Sequence, residues 1–226
     1  MHIGILQTGH APDALQANLG DYPAMFERLF DGHGFTFTTW AVVDGDFPSG
    51  PEAADGWLIT GSRHGAYEDH PWIPPLEDLI RRIRASGRPM VGICFGHQII
   101  AQALGGRVEK VAGGWSVGRR HYDWEGEDLH LNAWHQDQVT RLPDGARVVA
   151  RNDHCQAAAL AYGVTILTVQ PHPEFTAQAI DGLIRDRGPG IVPDDLLDEA
   201  RRQLDRPTDS ARIAGRLAAF LKAAHV

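Results

Sequence analysis

Cysteine is scarce: only Cys94 and Cys155 occur in 226 residues. Two are too few for a disulfide framework, and they lack the paired spacing of a zinc site. Basic charge is also short, with 21 Lys and Arg against 29 Asp and Glu and a net charge of −8. The arginines scatter along predicted helices instead of forming a stripe, so no nucleic-acid partner is expected. No apolar run reaches the length that crosses a bilayer. Met1 to Gln7 lacks the basic region, long apolar stretch and small-residue cleavage site of a secretory leader. We therefore expect no membrane partner and a cytoplasmic location, where reducing conditions keep a lone thiol free. Twelve histidines are present, but none falls at His-x-x-x-His or His-x-x-Glu-His spacing, so no metal and no other cofactor is expected.

What is present is a chain long enough for one sizeable core, with apolar stretches spread evenly from end to end. We expect one domain over 1–226 with a helical C-terminal extension from about 189. Strand-like His2–Gln7, a helix from Asp21 to Phe30, and strand-like Phe35–Val42 and Trp57–Thr60 alternate in the first half. A second helix, Leu76–Ala85, precedes the apolar strand Met90–Ile93. This rhythm predicts an α/β fold with an open, mostly parallel, doubly wound sheet. From Arg107 to Val169 short alternating runs (Val108–Val111, Asp128–Leu131, Arg147–Ala150, Ala157–Ala161) predict an antiparallel extension. Helices are expected again over Thr176–Arg185 and in two stretches ending with Ala211–Ala224. No internal repeat or low-complexity tract is seen, and no pattern assigns an oligomeric state.

The most informative segment runs from Pro89 to Gln98, where an apolar strand passes through Gly92-Ile-Cys94-Phe-Gly96 into an amphipathic stretch, Ile99–Leu104, stopped by Gly105 and Gly106. This is the pattern of a nucleophile elbow with cysteine at its tip. The turn lifts the side chain off the strand end, and the glycines let backbones pass where a Cβ would clash. The following helix aims unpaired N–H groups and its positive end at the sulfur.

A cysteine nucleophile needs a base that later protonates the leaving amine, and the base needs an orienting partner. His172 and Glu174 in Gln170-Pro-His-Pro-Glu-Phe175 supply both. Pro173 restrains its neighbours toward extended backbone, where residues two apart point the same way. An oxyanion hole requires backbone donors. Phe95 N–H, just after the nucleophile, is one, and the loop Thr60-Gly61-Ser62-Arg-His-Gly65 after the preceding strand offers a second at Gly61. Singly, each piece has a plainer explanation: Cys94 as a small buried hydrophobe, His-Pro-Glu as an ordinary turn, Gly61-Ser62 as the end of a strand. Their joint occurrence at the carboxyl ends of apolar strands favours the catalytic reading.

Gly92-Ile-Cys-Phe-Gly-His-Gln98 together with Gln170-Pro-His-Pro-Glu174 resembles the class I, or triad, glutamine amidotransferases over about the first 185 residues. Thr60-Gly-Ser-Arg-His-Gly-Ala-Tyr67 and Trp134-His-Gln-Asp-Gln-Val139 are similar to the stand-alone subgroup related to the glutaminase domain of GMP synthase. That subgroup includes bacterial amidotransferase-like proteins and plant γ-glutamyl peptidases. The resemblance implies a flavodoxin-like sheet, Cys94 as nucleophile, His172 as general base and acid, Glu174 as its orienter, and Gly61 and Phe95 as oxyanion donors. It further implies that Ser62 and Gln98 contact the glutamyl group, and that the backbone near Trp115 and Ser116 and near His135 and Gln136 clamps its α-amino and α-carboxylate ends. Related glutaminase domains often carry glycine where Gln136 stands, and Gly113–Gly118 lacks the acidic residue often found there, which leaves substrate preference open. Cys155 matches no catalytic position.

The implied chemistry is hydrolysis of a γ-glutamyl amide through a thioester. The first reading is a glutaminase that releases ammonia to a separate ammonia-accepting synthetase partner. The alternative is a γ-glutamyl peptidase acting on glutathione-like peptides, with a groove near Arg63, His64 and Trp115 that admits the longer substrate. A non-catalytic regulatory or binding protein is a third reading, disfavoured by the intact Cys94, His172 and Glu174.

Overall fold

The computed structural model describes residues 1–223. Strand β1 (His2–Leu6) leads through α1 (Asp13–Leu19) and α2 (Tyr22–Leu29) to β2 (Thr36–Trp40), followed by β3 (Gly56–Ile59), α3 (Ile73–Ser86), β4 (Met90–Ile93) and α4 (Phe95–Ala103). Seven strands come next: β5 (Arg107–Lys110), β6 (Ser116–Trp124), β7 (Glu127–His135), β8 (Asp137–Arg141), β9 (Ala146–Arg151), β10 (Ala159–Tyr162) and β11 (Ile166–Val169). Helices α5 (Ala177–Asp186), α6 (Asp194–Arg201) and α7 (Ser210–Ala223) close the described chain. The predicted last residue of the tail helix, Ala224, lies outside the described residues.

The main sheet has the order β2-β1-β3-β4-β11-β10-β9-β6-β7. The block from β2 to β11 is parallel, and the remaining strands extend it antiparallel. Parallel strands buried on both faces read as continuous apolar runs, and every residue of β3, β4 and β11 is buried. Alternation along the strands sorts the core. Ile3, Ile5, Leu58, Val91, Ile93 and Val169 face α2 and α7 through Phe26, Ile213, Leu217 and Leu221. Leu6, Trp57, Ile59 and Met90 face α3 and α4 through Leu76, Leu79, Ile80, Ile83 and Ile99. Helices thus cover both faces, and α7 of the tail is one of them.

Several elements depart from the sequence expectation. Helix α3 starts at Ile73 instead of Leu76, because Pro74 and Pro75 occupy its first turn, where a missing N–H is harmless. Helix α1 was not expected. Strands β6 and β7, nine residues each, form a hairpin. β6 carries Arg119, Arg120 and His121, which mask the apolar pattern, yet α6 covers it and pairs Glu199 with Arg120 at 2.9 Å. Strands β5 and β8 form their own two-stranded sheet. The antiparallel reading up to Val169 also fails at β11, which hairpins against β10 but runs parallel to β4.

The elbow depends on two backbone crossings. A Cβ on Gly96 would stand 2.3 Å from Ile59 O, and one on Gly92 2.6 Å from the Gly96 carbonyl. Both obstacles are backbone and cannot swing aside. Gly96→Ala is therefore expected to destabilise by about 3 kcal/mol or more, lowering Tm by roughly 6–12 °C in calorimetry. Gly215 in α7 has open space at its Cβ; Gly215→Ala should raise stability by about 0.5–1 kcal/mol. Equal melting of the two variants would refute this account of the elbow.

Candidate active site

Cys94 sits between the end of β4 and the start of α4 with φ 52° and ψ −103°, a conformation non-glycine residues rarely adopt. Its neighbours hold it there. Cys94 N–H donates to Val169 O of β11 at 2.9 Å, and Gly96 N–H donates to Thr60 O at the end of β3 at 3.1 Å. The thiol, 5% exposed, lies at the helix N-terminus beside donors without intrahelical partners, Phe95 N–H among them.

His172 follows β11 and reaches the same point. Its N–H donates to Asn132 O at 2.8 Å, and its Nδ1 lies 2.6 Å from Glu174 Oε1. With Nδ1 so engaged, Nε2 remains for the thiol, which shares the cleft with His172. The segment is a turn and not the extended backbone expected, with Phe175 N–H donating to His172 O at 3.3 Å. The pairing of His172 and Glu174 arises from that turn. Phe175 stacks on His172 at 3.9 Å and 3° between planes, fixing the ring. Burial opposes a proton on His172, but the Glu174 carboxylate and the Cys94 sulfur outweigh it and raise its pKa to about 10.

Gly61 completes the triangle. A Cβ there would lie 3.0 Å from His172 Cε1 and 3.7 Å from Cys94 Cβ, so glycine allows the loop to close on both. Its carbonyl accepts from the Thr8 and Thr60 hydroxyls at 3.1 and 3.0 Å, which pins the peptide. A cleft of about 260 Å³ opens over the thiol. Ser62, Gln98, Trp115, His135, Gln136 and His172 line it with Cys94. Ser116 does not; it is buried opposite His135 in the β6–β7 ladder. Glu174 stands behind His172 and borders a separate cavity of about 430 Å³ that contains neither Cys94 nor His172. The Gln98 amide donates to Asp137 O at 2.9 Å and Gln170 Oε1 at 3.0 Å, leaving its carbonyl oxygen for a ligand. Burial, then the charges of His172 and His154, push His135 down to about 3, so it stays neutral.

Three positioning residues escaped the sequence reading. Asn132 holds the His172 turn at both ends, its carbonyl taking His172 N–H and its amide donating to Phe175 O at 2.8 Å. Thr8, and the hydroxyl of Thr60, fasten the Gly61 loop to β1. No local pattern marks Asn132 or Thr8, because their partners are distant in sequence. Among the described residues, His64, Glu68 and His70 bring donor atoms within 4.8 Å of one another. They are the group suited to a metal ion, although no helical His spacing announces them. They also bond to each other, with His70 Nε2 2.7 Å from Glu68 Oε2. Cys155 is buried in the core, its thiol pushed by burial up to about 12. No helix among the described residues is long and apolar enough to cross a membrane.

Residues 51–186 match the family profile of glutamine amidotransferase class-I. γ-Glutamyl peptidase 4 of Arabidopsis thaliana is 30% identical over 181 residues, which span 73% of this chain and 72% of that protein. The glutamine-hydrolysing GMP synthase of Thermus thermophilus is 34% identical over 154 residues, 59% of this chain but 30% of that protein. In three dimensions, a glutamine amidotransferase of Thermotoga maritima superposes with a TM-score of 0.74 at 24% identity, covering 100% of this chain and 99% of that one. With more than half its residues inside the family profile, the chain belongs to the class I glutamine amidotransferases.

Proposed function

We propose that the protein is a γ-glutamyl hydrolase working through a γ-glutamyl thioester on Cys94, with a leaving amine larger than ammonia. Cys94 Sγ attacks the γ-carbonyl carbon, and the carbonyl electron pair moves to oxygen, where Phe95 N–H and Gly61 N–H receive the charge. As the C–N bond breaks, its electron pair takes the proton held on His172, and the neutral amine departs. Water then attacks the thioester, giving a proton to His172, and the C–S bond breaks with its electron pair on sulfur, releasing glutamate and restoring the Cys94 thiolate beside protonated His172. Glu174 holds the imidazole orientation and favours its charged form. Ser62, Gln98, Trp115, His135 and Gln136, which line the cleft, serve the glutamyl end.

The observation that carries this reading is His172, buried and held at 2.6 Å by Glu174 while facing the sulfur of a strained elbow. The larger leaving group is favoured by the likeness to γ-glutamyl peptidase 4 over 72% of its length, and by an open cleft over the thiol. The likeness to a glutamine-hydrolysing GMP synthase supports a second reading, in which the amine is ammonia and a synthetase partner consumes it. Glutamate release by the purified protein, measured in parallel on glutamine and on γ-glutamyl peptides, separates the two. We expect peptide turnover to exceed glutamine turnover at least about tenfold in kcat/KM. Glutamine-only turnover would transfer the assignment to the amidotransferase reading.

A further inference from the structure

We infer that Arg187, with Tyr22 lining the same cleft, forms a carboxylate-binding subsite for the leaving amine. The preferred substrates are then γ-glutamyl compounds whose amine carries a carboxylate, as in γ-glutamyl amino acids. This rests on the hydrolase reading above.

The proton given up by His172 must reach the departing nitrogen, so the leaving group lies on the His172 side of Cys94. Phe175 and Tyr22 build that side: Phe175 stacks on His172, and Tyr22 stacks on Phe175 with ring centroids 6.3 Å apart. Gln98, His135 and Gln136, assigned to the glutamyl group, also line the cleft. Leu183, Arg187 and Ile191 line the same cleft as Cys94, His172 and Tyr22. Arg187 caps the C-terminus of α5 and is half-buried. Among the described residues its guanidinium has no ion pair or hydrogen bond. Arg185, two positions earlier, is bridged to Asp181 at 2.9 Å. The charge of Arg187 is felt by the buried Tyr22 phenol, which lies within electrostatic reach of Cys94 and Glu174 as well. Tyr22 and Arg187 both line the cleft over Cys94.

The two acids that line the cleft do not neutralise Arg187. Glu68 is engaged by His64 and His70, and Asp137 accepts from Tyr67 Oη. An unpaired arginine presents a planar fork that matches a carboxylate, and partial burial strengthens the pairing. The Tyr22 hydroxyl adds a donor. Ile191, 60% exposed at the rim, and Leu183 offer apolar contact to the side chain of the departing residue. Ammonia has no group to reach this far, so glutamine gains nothing from Arg187.

The test compares kcat/KM for a γ-glutamyl amino acid and for the same compound with its C-terminal carboxylate converted to a carboxamide. Wild type should prefer the acid by about tenfold or more. Arg187→Ala should bring the ratio to within about twofold of unity, and Arg187→Glu should push it below unity. Because each ratio is taken within one preparation, partial loss of folded protein cancels. Equal rates on acid and amide by wild type, or a preference that survives in Arg187→Ala, would overturn the subsite alone. No turnover of any γ-glutamyl amide by wild type would instead remove the hydrolase reading, and this inference with it.

Discussion

Cys94→Ala is expected to abolish glutamate release from every γ-glutamyl amide, a loss of at least about 10⁴-fold in kcat. Among the described residues, Cys94 is the one thiol lining the cleft. Cys155 is buried, with its thiol held protonated at neutral pH, and Cys155→Ala should keep wild-type activity. The loss in Cys94→Ala should not reflect unfolding. The side chain is small, and its removal should change stability by only about 1 kcal/mol, which calorimetry can check. The elbow conformation should tolerate alanine as it does cysteine, since the strain lies in the backbone. Intact-mass spectrometry under rapid quench should find a γ-glutamyl adduct on wild type and none on Cys94→Ala. An adduct or glutamate release persisting in the variant would exclude the thioester mechanism.

The elbow was legible in the sequence because its geometry is almost entirely local. Gly92, Cys94 and Gly96 lie within five residues, and the clash that requires Gly92 is with the helix that follows, although that of Gly96 is with Ile59 O of the neighbouring strand β3. The pairing of His172 with Glu174 was legible for a similar reason, although the route differed. Pro173 was read as extending the backbone, and it instead occupies a turn that brings both side chains to one side. The supports around these residues were not legible. Asn132 reaches Phe175 across 43 positions and Thr8 reaches Thr60 across 52, and a hydroxyl or amide awaiting a distant partner looks like any surface polar residue. Strand β6 was missed because its charged residues, on an inner strand covered by α6, break the alternation that marks a strand. β11 was placed among antiparallel strands because its hairpin to β10 is local, whereas its parallel bond to β4 is not.

Glu174→Gln should lower kcat by about 10³-fold while leaving KM within a few-fold. The carboxylate lies 2.6 Å from His172 Nδ1 and accepts whatever proton that nitrogen carries. A glutamine can instead present its NH₂ group, which selects the tautomer with the proton on Nε2 and blocks proton uptake from the thiol. The pH dependence gives a second readout. Burial works against the His172 charge, and Glu174 is the foremost influence that raises its pKa to about 10. Removing the carboxylate must lower that pKa. The reaction needs protonated His172 to expel the amine, so the alkaline limb of kcat, expected near 10 in wild type, should move to lower pH in the variant. Stability follows the same sign. A histidine raised above its unfolded value contributes stability that is fully present below about 6.5 and lost as pH rises through about 10. Wild type should therefore lose this contribution progressively between about pH 6.5 and about 10, whereas Glu174→Gln should show a smaller contribution that is gone at lower pH. The His172 Cε1–H resonance, followed by NMR across the titration, reports the shift directly. A resonance titrating at the same pH in both proteins would show that Glu174 does not govern the charge of His172.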